Sequence, residues 1–267
     1  MMTPAGRSST TSACSRSTKA TWPPRTHLEQ ALAAAPESSE AHVDVLLGRM
    51  RLAAAEGDGA AMEADHQRAA ARLPAEPDPL DRRLHSVLFA YARALVALGR
   101  TAEALAPLEQ MQAALAGAQR TVDAAEITSL LGELRLELGH LDEAEKDLQG
   151  ARADLEREAP PRSLLLAGNL TALAELALAR GRFEEAAGSA ARALAIYDDV
   201  SEPDHPPAAR ARFALARALA ADAPVAPANV RELAEEALAA FRGKSRAADV
   251  GRVTAWLAEH QKSVSGQ

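Results

Sequence analysis

Ser163–Pro206 reads SLLLAGNLTALAELALARGRFEEAAGSAARALAIYDDVSEPDHP, and its two halves share one period. In the first half Leu166, Leu170, Leu173, Ala174, Ala177 and Leu178 recur at steps of three and four residues, as one face of an α-helix requires. Phe183, Ala186, Ala190, Ala193, Leu194 and Tyr197 do the same in the second. Gly181 stands between them, where a helix that ends in a left-handed residue takes glycine without steric cost. Each half is apolar on one side only. Neither helix buries that side alone, so the two close into a hairpin, and the hairpin needs neighbours.

Glycines count the neighbours. Gly57, Gly99, Gly139 and Gly181 are separated by 42, 40 and 42 residues, each between two helical patterns. Five residues after each comes Met62, Ala104, Ala144 or Ala186, and twelve after each comes Ala69, Met111, Ala151 or Ala193. Small or flexible residues there let the second helix lie back on the first. The pattern predicts helices near 26–35, 39–56, 59–73, 78–98, 101–117, 120–138, 141–157, 162–180, 183–199, 206–221, 227–242 and 245–262. Prolines 36, 74, 77, 79, 160, 161, 203, 206 and 207 fall at the joints between hairpins. Pro107 falls inside a predicted helix, which it either kinks or shortens at its start. The fifth hairpin has a longer turn, ADAPVAPAN, with Asn229 placed to cap the next helix. Val250, Val253, Trp256 and Leu257 form one stripe on a last helix that closes the stack.

Composition agrees. Of the 267 residues 48% are hydrophobic but only 3% aromatic, so the core is built of Ala and Leu, which favour helices over strands. The formal charge is −7; residues 1–26 carry four cations and no acid, which leaves the remainder at −11. An acidic body argues against non-specific binding to nucleic acid or anionic membrane. One cysteine, Cys14, allows neither an internal disulfide nor a cysteine metal cluster. No apolar run reaches the roughly 20 residues of a membrane span, and the cytoplasm is the expected location. Residues 1–25, rich in Ser, Thr, Arg and Pro, show no apolar period and are expected to be a disordered leader. They share the acid-poor composition of an organellar transit peptide but show no amphipathic helix, so a linker or an artefact of start-site choice is at least as good a reading. Residues 26–262 form the repeat domain and 263–267 a disordered tail.

Leu131-Gly132, followed by Gly139, Leu141, Ala144, Leu148 and Ala151, resembles the tetratricopeptide repeat. The resemblance runs over about 27–242, although Ala replaces Gly at Ala92 and Ala174 and the period exceeds the usual ~34 residues. Together with Ala193-Leu194-Ala195-Ile196 and Pro203-Asp204-His205-Pro206, it looks like the longer-helix variant of kinesin light chains. Val253-Thr254-Ala255-Trp256-Leu257 also resembles, more loosely, repeat regions attached to bacterial serine/threonine kinases. These likenesses imply an all-α, right-handed superhelical solenoid of antiparallel hairpins with a C-terminal capping helix. They imply a non-catalytic scaffold that holds a protein or peptide in its concave groove, or else the regulatory segment of a kinase whose catalytic domain is absent from this chain.

Motifs for chemistry are missing. No Gly-x-x-x-x-Gly-Lys loop, Gly-x-Gly-x-x-Gly turn or kinase catalytic set occurs. No two of the seven histidines lie three to five residues apart, so no metal site is expected, nor any cofactor. His66 falls on a second-helix packing position and reads as a core or edge residue. Glu184-Glu185, Asp142-Glu143 and Glu235-Glu236 lie near second-helix starts or on outer faces, where they suit the helix dipole or solvent.

In the solenoid that the resemblance implies, first helices line the groove. Their groove candidates are Phe89 and Arg93, Ser129 and Glu133, Thr171 and Glu175, and Arg210, Phe213 and Arg217. The last three share one helix face and set an aromatic between two guanidiniums, suited to a carboxylate-bearing peptide. The plainer alternative makes Phe213 core and the arginines solvated. No groove candidate is a Lys, so the Lys/Asn clamp for chaperone tails is absent.

Overall fold

The computed structural model describes residues 25–74, 78–160, 163–200, 206–221, 228–243 and 247–262. The expected leader lies outside these residues except for Arg25, and the expected tail lies outside them entirely. The described residues form helices α1 (Arg25–Ala34), α2 (Glu40–Glu56), α3 (Gly59–Ala70), α4 (Arg82–Ala97), α5 (Leu105–Gly117) and α6 (Thr121–Glu137), then α7 (Leu141–Glu158), α8 (Leu164–Ala179), α9 (Phe183–Val200), α10 (Pro206–Ala220), α11 (Ala228–Gly243) and α12 (Ala247–Lys262). No strand occurs among them.

Gly57, Gly99, Gly139 and Gly181 have φ of 77°, 74°, 79° and 70°, so each turn is left-handed as the spacing predicts. Each closes with the same two bonds: His140 N donates to Arg135 O at 2.8 Å and Gly139 N to Leu136 O at 3.0 Å. These satisfy carbonyls that a helix end otherwise leaves without donors. Gln119 (φ 58°) ends α5 in the same way, with Arg120 N on Leu115 O at 3.0 Å. Ser39, Asp58, Asp81 and Ser163 cap the starts of α2, α3, α4 and α8 through their side chains.

The alternatives at Pro107 are decided, and the expectation at Asn229 needs adjustment. Residues 101–104 form a 3₁₀ turn and α5 starts at Leu105, so Pro107 falls in its first turn, where a missing N–H costs no bond. Asn229 is the second residue of α11 and does not cap it. The turn over 222–227 lies outside the described residues.

The hairpins are α2/α3, α4/α5, α6/α7, α8/α9 and α10/α11, with α1 against α2 and α12 against α11. Every predicted interhelical position is buried: Met62, Ala104, Ala144 and Ala186 are inaccessible, and Ala69, Met111, Ala151 and Ala193 nearly so. α6 and α7 approach most closely at Gly132. A Cβ there would meet Leu148 Cγ at 2.6 Å, which accounts for glycine beside the buried Leu131. Val253 and Leu257 of α12 close the end of the stack over Phe241.

First helices also meet between units, α2 on α4, α6 on α8 and α8 on α10, whereas second helices scarcely touch one another. The closely packed side of an arc is its inner side, so α2, α4, α6, α8 and α10 line the groove. One pair departs from this order: α4 and α6 share a core that includes Val87, Leu95, Ile127 and Leu131, but their backbones approach less than those of the other adjoining first helices.

Candidate functional site: the groove of first helices

Counting back from the turn glycines places Phe89, Ser129 and Thr171 at one register, ten residues before each glycine, and Arg93, Glu133 and Glu175 at another, six before. On α10 Phe213 and Arg217 repeat the spacing of Phe89 and Arg93. α4 and α10 thus carry an aromatic with an arginine one turn later, α6 and α8 carry a small hydroxyl with a glutamate, and α2 carries Leu47 and Arg51 at these registers. The arginines lie over their own rings, Arg93 at 5.8 Å from the Phe89 centroid and Arg217 at 5.7 Å from that of Phe213.

The central positions turn inward. Thr171, expected on the groove, is buried, and its hydroxyl donates to Ala167 O at 2.9 Å. Ser129 is buried too, and its Oγ accepts from Asn169 Nδ2 at 2.6 Å; the same amide donates to Leu148 O at 3.0 Å. A hydroxyl one residue from the helix–helix contact is short enough to be enclosed. Ser129 ties α6 to α8, Thr171 bonds back within α8, and neither offers a surface to a ligand.

Glu133 and Glu175 meet Arg210. The guanidinium reaches Glu133 Oε2 at 3.0 Å and Glu175 Oε1 at 3.2 Å, which bridges α6, α8 and α10. Burial alone would push Arg210 down, but the carboxylates of Glu175 and Glu133 outweigh it and hold the group above the usual arginine range. Of the two guanidiniums that the sequence sets about Phe213, Arg210 is thus already held by two carboxylates.

Arg217 differs. It makes no ion pair among the described residues. Burial pushes its guanidinium down, and Arg252 adds to this against the pull of Glu175. Arg217, Arg210, Arg252, Glu133, Glu137 and Glu175 line a cleft of about 280 Å³. Partial burial, reinforced by Glu133 and Glu175 against Arg210 and Arg252, pushes the Glu137 carboxyl up. Phe213 stands edge-on to Trp256, with centroids 5.9 Å apart, and Trp256 stacks on His260. Phe213 packs partly against the C-terminal core. Arg252 and Glu137 were not singled out from sequence. Arg252 lies on the capping helix, and no periodicity relates it to α10.

A second cleft, of about 350 Å³, opens where α4 and α6 stand apart, with Phe89 on its wall. Among the described residues no cluster of His, Cys, Asp and Glu could hold a metal ion. No described helix is long and apolar enough to cross a membrane. The acidic pairs Asp142-Glu143 and Glu184-Glu185 lie in the first turns of α7 and α9.

The fold is that of tetratricopeptide-like repeat proteins. The chain is similar to the putative kinesin light chain of Podosopora anserina with nearly identical TPR-like repeats: 22% identity over 79% of this chain and 99% of that one, TM-score 0.58. A point variant of that protein gives 22% identity, 79% and 98% coverage and a TM-score of 0.59. BtubC (BKLC) of P. vanneervenii shares 17% identity over 91% of this chain and 88% of its own, TM-score 0.55. No family model and no curated protein matches the sequence.

Proposed function

We propose that this chain is a non-catalytic scaffold that holds a protein or peptide partner along the groove of its first helices. One contrast carries the reading. Arg210 is held by two carboxylates, whereas Arg217, half-buried on the same face of α10, meets none among the described residues. An enclosed cation without an anion is costly, and a carboxylate of a bound peptide entering beside it would remove that cost. A single cysteine suits a reducing compartment, and we place the protein in the cytoplasm. No described feature favours the kinase-attached reading over the free-standing scaffold.

Affinity capture tests this with the wild type, Arg217→Gln and Leu80→Glu, the last lining the second cleft. Arg210 is left intact, because its replacement by Glu would bring three carboxylates together and endanger the fold. A partner lost by either variant, with melting temperature unchanged, supports recognition in the groove. Binding indifferent to both would send the interaction to another surface and overturn the reading.

A further inference from the structure

The wedge between α4 and α6 interrupts an otherwise regular groove. Elsewhere along it each first helix leans on the next, so apolar side chains there are consumed by packing. Here the connection from α5 to α6 is only Ala118–Arg120, and it keeps α6 against α5 while α4 stands off. The gap of about 350 Å³ is floored by Met111, Leu115 and Ile127 and walled by Phe89 and Leu80. Leu80 is among the few large apolar residues exposed, at 38%. The volume falls in the range of ligand pockets, ~300–1,000 Å³, and holds more than a few waters.

The rim charges select what enters. Arg120 pairs with Asp123 at 2.5 Å, and Arg82 extends outward into solvent with Glu40 3.6 Å away. Glu126 pairs with no cation among the described residues, and burial, then Asp123, pushes its carboxyl up. The wedge therefore presents an apolar slot beside one unmatched anion, on a body whose residues after 26 carry −11. Such a field favours a cation at the rim and speeds the approach of a basic segment.

We infer that the wedge between α4 and α6 takes one large apolar side chain of a partner peptide that carries a Lys or Arg beside it. The inference rests on the groove reading and names where that groove grips and what it selects. The apolar side chain enters beside Phe89, over Ile127, where the backbones of α4 and α6 diverge. The neighbouring cation pairs with Glu126.

A displayed library of random dodecapeptides, panned on the intact chain, tests it. Enriched peptides should share a Leu, Phe, Met or Trp within two residues of a Lys or Arg. Their synthetic forms should lose tenfold or more in affinity on Leu80→Glu, and lose discrimination between Lys and Glu neighbours on Glu126→Gln. Both substitutions fall on exposed side chains, and melting curves confirm that the variants fold. Peptides rich in acid that respond to Arg217→Gln and ignore Leu80→Glu would overturn the wedge proposal while the groove reading stands. Peptides indifferent to all three variants, or no enrichment at all, would overturn both. Self-association of the wild type abolished by Leu80→Glu would assign the wedge to a second copy and overturn the peptide.

Discussion

At Gly132 one hydrogen in place of a methyl group sets the distance between α6 and α7. A Cβ there would press on Leu148 Cγ at 2.6 Å and Cδ2 at 2.8 Å, and Leu148 is fully buried with nowhere to go. In a free helix, Gly→Ala would gain about 1 kcal/mol. The collision outweighs this, and Gly132→Ala should destabilise by about 1–3 kcal/mol in chemical denaturation. A higher denaturation midpoint would mean that the two helices are not held so close. His66 gives a second residue-scale test. It stacks on Tyr91 with centroids 3.7 Å apart, and burial pushes its pKa down against the pull of Glu63. Below about pH 6.5 the unfolded chain takes up the proton first, so the contribution of His66 is complete above that pH and declines as pH falls. His66→Phe keeps a ring against Tyr91 and removes the titration. Between about pH 7.5 and 5.5 the wild type should lose more melting temperature than the variant; parallel losses would show that His66 titrates as in the unfolded chain.

Helix ends repeat one device with one irregular member. Among the described residues four of the five left-handed ends carry glycine, and Gln119 occupies the fifth at φ 58°. A side chain in this region costs roughly 1–2 kcal/mol relative to a right-handed conformation, and glycine escapes it. Gln119→Gly should therefore stabilise by about 1 kcal/mol, read from the midpoint in urea. Loss of stability instead would show that the Gln119 side chain holds the α5–α6 connection through contacts stronger than its strain. The glycine ends were legible in the sequence because left-handed φ restricts residue choice. Gln119 left no such mark, and neither did the 3₁₀ turn before α5, since both arise from the demand to join two packed helices with few residues. Thr171 was misplaced for a related reason: register along α8 locates its Cα, but burial depends on how closely α9 lies alongside.

For the whole molecule, stability accumulates along the stack, and the helices of each hairpin pack on those of the adjoining ones, with Arg210 reaching one hairpin further to Glu133. Removal of α12 by truncation after Gly243 would bare Phe241 and Val230, which are now buried beneath Val253 and Leu257. Such an open end should lower the melting temperature and promote self-association, visible by light scattering. A truncated chain that stays monomeric and melts like the full one would deny α12 its capping role. The groove also has a pattern visible only at this scale: arginine over aromatic on α4 and α10, glutamates on α6 and α8 between them, and Arg210 inserted between the glutamates. By itself the sequence determined the helices, their glycine turns, the period and the positions where the two helices of a hairpin meet, because all of these follow from local backbone geometry and from residue spacing along one helix. Only the tertiary structure decided that Arg210 reaches back 35 and 77 residues to Glu175 and Glu133, that Arg217 is left without such partners, and that α4 parts from α6. Those outcomes depend on how one hairpin leans on the next, a property that no periodicity within a single helix encodes.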